Sequence, residues 1–288
     1  MTKKSEIEAL IRLLDDEDET IVANVSERIL SYGSEIVFNL ENAWESSTNL
    51  ILQERIENLI HLINLKEVSK ELKFWLAESF PDLYTGAEIV AKYHFQDLDA
   101  QSLRTSIEGI KQKIWLELNN DLTPLETISV FNHVFYGELG FKGNFESAAS
   151  INDYCINHVI ESKKGSAISV GILYVIIAQE LNLPIYGVNL FNHFILSYQK
   201  RFIINFKEDN LNDNLFYINP VNKGAVFGRQ DIIQYLDTIK KDKDKKYFKS
   251  AHQKEVIKAL LGYMKRSFLN ANEDQKADEI ESLIELFS

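Results

Sequence analysis

Three short stretches of this chain hold the residue types that acyl-transfer chemistry requires. Lys163-Lys164-Gly165-Ser166-Ala167-Ile168-Ser169 sets two hydroxyls before an apolar run, Asn192-His193-Phe194 sets an imidazole before another, and Tyr217-Ile218-Asn219-Pro220 supplies a carboxamide. A nucleophile, a base and a group that orients the base are the minimum for covalent hydrolysis or acyl transfer. Ser166 or Ser169 would attack, His193 would take the proton and Asn219 would hold the imidazole. A plainer reading competes with this one. Serines at a helix start cap or pack it, a serine hydroxyl gains little from a helix dipole, and an imidazole on an apolar strand is commonly structural.

Other chemistries find less support. The single cysteine, Cys155, rules out an internal disulfide and any multi-cysteine metal site, and its place on the apolar side of a helical stretch predicts burial. His133 and Glu138 miss the i, i+4 spacing of a zinc-binding helix, and no glycine-rich phosphate loop is present, so no metal or cofactor is expected. With 288 residues, 45% hydrophobic and 26% charged, the composition is that of an ordinary globular chain. A net charge of -12 argues against binding nucleic acid or an anionic membrane. Met1 to Glu8 is polar and no apolar run nears the roughly 18 residues of a membrane span, so cytoplasmic residence is expected.

Hydrophobic periodicity places these residues on elements. Leu10, Ile11, Leu13 and Leu14, then Ile21, Val22, Val25, Ile29 and Leu30, predict a helical hairpin across the acidic run Asp15 to Glu19, with Gly33 as its C-cap. Two further stripes follow, and the octet from Ile7 is echoed from Ile56 at an offset close to the about 40–47 residues of HEAT-type repeats. Thr123-Pro124-Leu125-Glu126 is a capping box that opens a helix running to Gly140. Residues 149–162 read as one helix broken by Gly165, and Ala167 to Leu181 as another, apolar nearly all round and therefore central. Strand signals come after it: Ile185 to Leu190, Phe194 to Tyr198, Phe202 to Phe206 and Phe216 to Ile218, with connections short enough to require antiparallel pairing. Lys240 to Lys249 reads as a solvated linker or helix end, with a basic docking surface as the alternative, and residues from Ile257 to Ile284 as a closing helical hairpin. The aromatics Phe131, Phe135, Tyr174 and Phe194 fall on core faces. The expected fold is α+β: a helical domain over 1–80, a mixed domain over 81–238 in which the apolar helix packs on a small antiparallel sheet, and a hairpin over 239–288.

The order of motifs Phe135 to Asn144, Asn157 to Ser169, Leu183 to Asn189, Asn192-His193-Phe194 and Tyr217 to Pro220 resembles the transglutaminase-like superfamily, in particular its bacterial SirB-type branch. The resemblance extends to the leading helices and the closing hairpin. It implies a papain-like core in which a cysteine thiol stands at the helix N-terminus, a histidine opens one strand and an Asp or Asn on the next orients it. Counting back from Pro184, the resemblance puts the thiol position at Ala167, to within one residue. His193 then holds the base position, Asn219 the orienting position, and the nucleophile is missing. The expectation is a binding or regulatory protein whose partner is an unidentified protein or peptide; the alternative is a Ser-His-Asn hydrolase or acyltransferase.

Overall fold

The computed structural model describes residues 3–144, 149–191, 193–203 and 213–288. Its contacts divide the chain into two compact units, Met1–Phe74 and Trp75–Ser288. In the first, α1 (Lys3–Leu13) and α2 (Glu19–Leu30) are followed by α3 (Val37–Ser46) and the start of α4 (Leu50–Ala77). Asp18 caps α2 through the amide of Thr20, and Arg55 donates to the carbonyls of Leu14 and Asp16 at 2.7 and 3.0 Å, which closes the acidic turn. Leu14, Ile29, Ile36, Leu40, Ile56 and Ile63 form the core of this unit. Gly33 does not cap α2, as the sequence suggested. The cap is Ser31, and Gly33, at φ +63°, opens a 3-10 turn into α3.

The second unit is built around one helix. It comprises α5 (Leu83–His94), α6 (Ala100–Glu117), α7 (Pro124–Asn132), α8 (Ile156–Ser162), α9 (Ala167–Glu180), α10 (Arg229–Thr238), α11 (Gln253–Asn270) and α12 (Asp274–Glu285), with β1 (Lys142–Asn144), β2 (Lys164–Ser166), β3 (Ile185–Leu190), β4 (His193–Gln199), β5 (Asn214–Asn219) and β6 (Ala225–Phe227). Every residue of α9 from Ala167 to Ala178 is buried. A helix with no polar face is stable only when enclosed, and α5, α6, α8 and α11 surround α9 on the sides that the sheet leaves open. The capping box is present, with Thr123 and Glu126 bonded reciprocally, but the helix it opens changes pitch at His133 and continues as a π-helix to Glu138. That wider turn brings His133 Nε2 within 3.5 Å of Glu138 Oε1, a pairing at i, i+5 that an α-helical reading does not anticipate.

Two strands near α9 escaped the sequence reading. Residues 149–162 are not one helix: a 3-10 turn over Ile151–Tyr154 gives way at Cys155, in extended conformation, to α8. This helix ends at Lys163, at φ +61°, and not at Gly165, which lies within β2. β2 pairs in parallel with β1, Gly143 opposite Gly165. Three residues without hydrophobic alternation carry no strand signal; their pairing depends on a neighbour distant in sequence.

The larger sheet has the order β3-β4-β5-β6, antiparallel throughout. Alternation along β4 sorts its two faces. Phe194 and Leu196 meet α9 at Gly171, whereas Ile195 joins Val188, Tyr217, Ile232 and Leu236 in a core beneath α10. Of the expected strand from Phe202 to Phe206, Phe202 and Ile203 are not in a strand and 204–206 lie outside the described residues. β6 was not expected. The Lys-rich stretch is no free linker, because a 3-10 turn over Lys245–Phe248 buries Phe248 against the sheet.

Close approach at the Phe194 ring yields a test of this packing. A Cβ built on Gly187 would lie 2.5 Å from Phe194 Cζ and 2.8 Å from Cε2. Gly187→Ala is expected to lower stability by about 1–3 kcal/mol, read as a lower urea midpoint at unchanged slope. Combined with Phe194→Leu the two costs should fall short of their sum, since the obstructing ring is gone. Full additivity would contradict the contact.

Candidate functional site

At the N-terminus of α9 two serines sit side by side. Ser166 is the N-cap, its Oγ accepting from the amide of Ser169 at 3.3 Å, and the two hydroxyls lie 2.8 Å apart. Ser169 Oγ also reaches the carbonyls of Asp153 and Ser166, acceptors that can only receive. The Ser169 proton therefore goes to a carbonyl and the Ser166 proton to Ser169. Both side chains are fully or almost fully buried. A Cβ on Gly165 would meet Val159 Cγ2 at 2.5 Å and Ser169 Oγ at 3.0 Å, so only glycine lets β2 approach this cap. Neither hydroxyl has a proton free for a base.

Ala167, which follows Ser166, lines a cleft of about 710 Å³ together with His193 and Asn219. The structure thus brings these sequence-predicted positions to one cleft and leaves both serines out of its lining. His193 shares the α10 face of the sheet with Ile195, and its ring meets Tyr235 edge-on at 5.2 Å between centroids. Among the described residues the ring makes no hydrogen bond. Burial lowers its pKa below the usual histidine value, which favours the neutral ring. Asn219 Oδ1 accepts from the amides of Val221 and Asn222 at 3.0 and 3.2 Å. Its oxygen is spent on the turn into β6, where an orienting residue would accept from the imidazole.

The rest of the cleft is apolar apart from Asp231, whose carboxylate accepts from the Gly228 amide at 2.7 Å at the start of α10. Leu190, Phe191, Phe194, Ile195, Val221 and Phe227 come from the sheet and its turns, and Ile232, Tyr235 and Ile239 from α10 and its end. The α10 wall was missed in the sequence, although Ile232, Tyr235 or Leu236 and Ile239 recur at helical spacing. Cys155 lies apart from the cleft, fully buried, its thiol pushed up to about 12 by burial and by Asp153. No cluster among the described residues could hold a metal ion.

Comparison with known proteins fits this architecture. Residues 101–262, more than half of the chain, match the transglutaminase-like superfamily. The chain belongs to that superfamily. It is 24% identical over 156 residues to a UPF0162 protein of Xylella fastidiosa, covering 54% of this chain and 51% of that one. A UPF0162 protein of Pasteurella multocida is 31% identical over 106 residues, covering 35% and 40%. Human F-box only protein 21 is 32% identical over 71 residues, 25% of this chain and 11% of that protein. The chain spans about half the length of the first of these curated relatives. No solved structure matches it.

Two measurements check this site. A thiol introduced by Ala167→Cys would stand in the cleft at the α9 N-terminus, where the helix amides favour a thiolate. Iodoacetamide should modify it rapidly, with an apparent pKa below the about 8.5 of a free thiol, whereas the parent protein, with only Cys155, should resist. Alkylation no faster than in the parent would contradict the placement of Ala167. For His193, a folded pKa below the unfolded value means that the unfolded chain takes up the proton first as pH falls. Stability is expected to drop as pH falls through about 6.5, and His193→Gln should remove part of that drop while His252, lowered in the same direction, retains its own. Identical acid-side loss of the urea midpoint in variant and parent would contradict it.

Proposed function

We propose that this transglutaminase-like chain is a non-catalytic binding protein that holds a protein or peptide segment in the cleft beside Ala167. One observation carries the reading: the residue at the cleft wall where α9 begins has only a methyl group, while the adjacent hydroxyls of Ser166 and Ser169 are buried and bonded to each other and to the backbone. Asn219 and His193 support it as well, since neither is arranged to activate a nucleophile. A concave, largely apolar surface with a few polar groups is suited to anchoring side chains. The quoted motifs support the narrower placement in the SirB-type branch, and the packed helices of the first unit support a HEAT-like leading domain.

The competing reading, a Ser-His-Asn hydrolase or acyltransferase, can be tested directly. A fluorophosphonate probe is expected to leave the native protein unlabelled above a heat-denatured control. Labelling that disappears in His193→Ala would overturn the non-catalytic reading.

A further inference from the structure

A segment that adjoins the cleft carries charge opposite to that of the whole chain. Lys240 to Lys249 contains six lysines and two aspartates in a protein of net charge -12. This run starts where α10 ends, directly after Ile239 of the cleft wall. One of its lysines is held against the cleft wall. Lys241 Nζ stands 4.7 Å over the ring of Phe191, another wall residue, and Tyr247 packs edge-on against that ring at 6.4 Å.

Behind them the segment is fastened to the sheet. Phe248 is buried, its carbonyl accepts from Asn214 Nδ2 at 2.7 Å and from the Tyr217 hydroxyl at 3.0 Å, and the amide of Ala251 donates to the Gly187 carbonyl at 2.7 Å. Lys243 and Lys246 are matched by Asp237 and Asp244 at 3.0 and 3.1 Å. Lys240, Lys241 and Lys245 are exposed and have no acidic partner among the described residues. A cation held over a wall residue of a largely apolar cleft, with exposed lysines near it in the chain, favours a ligand that is both acidic and apolar.

Resting on the cleft reading above, we propose that the occupant is a peptide segment in which an aromatic or aliphatic side chain is flanked by Asp or Glu. The apolar side chain enters between Phe191, Phe227 and Tyr235, and the flanking carboxylates meet Lys240, Lys241 and Lys245. Such pairs lie at the surface, so they set specificity and salt dependence more than affinity.

The test is selection of a random dodecapeptide library, displayed on phage, against the full chain. Three proteins are compared: the parent, a K240E/K241E/K245E variant, and Val221→Trp, which places a large side chain in the cleft, with Phe191→Ala as a second cleft variant should Val221→Trp not fold. The expected peptides carry Asp or Glu beside Phe, Leu, Tyr or Trp. They should bind the charge-reversed protein about tenfold more weakly, lose affinity as salt rises, and lose binding in the cleft variant. Enriched peptides that lack acidic residues and ignore the charge reversal, yet fail on the cleft variant, overturn the acidic specificity and leave the cleft reading standing. Peptides indifferent to the cleft variants, or no enrichment on the parent, overturn both. A single-stranded oligonucleotide that binds the lysines while no peptide is enriched overturns the proposal in favour of a nucleic-acid surface.

Discussion

The enclosure of α9 is the constraint on which the second unit depends. A helix apolar on every side must be removed from water all round, and it recruits a sheet on one flank and helices on the others. Enclosure also reaches its N-terminus, where exposed amides would otherwise go to solvent. There the Ser166 cap, the Ser169 hydroxyl and the Asp153 carbonyl satisfy one another, and Gly165 makes the space for them. The hydroxyls on either side of Ala167 are thereby consumed in holding the helix.

The cleft is a by-product of the same packing. The sheet turns one face to α9 and the other to α10, so a groove is left where the α9 N-terminus, the start of β4 and the end of β5 meet. Ala167, His193 and Asn219 converge there because the transglutaminase-like topology brings those chain positions together whatever their side chains. Topology delivers the positions; chemistry depends on the atoms placed at them. Here a methyl group, a ring packed on tyrosine and a carboxamide committed to a turn occupy the three places.

Much of this was legible beforehand. The capping box at Thr123, the all-apolar stretch of α9, the runs that became β3, β4 and β5, and the burial of Cys155 are local properties, written in spacing and composition. The strands β1, β2 and β6 were not legible, nor was the π-helical turn from His133, because three-residue pairings and a change of helical pitch are settled by partners far along the chain. The same holds for the Lys-rich segment. Its composition suggests a solvated linker, yet Phe248 and the buried bonds of Asn214 and Tyr217 fix it to the sheet.

By itself, the sequence determined which residues bring hydroxyls, an imidazole and a carboxamide into the three motifs, and that its one thiol, Cys155, lies outside them. Periodicity and motif order suffice for that, since they depend on near neighbours and residue identity. Tertiary structure alone decided where each polar atom spends its hydrogen bonds. Whether Ser169 donates to Asp153, whether Asn219 serves a turn, and whether Lys241 stands over Phe191 depend on distances between segments that the linear chain leaves free.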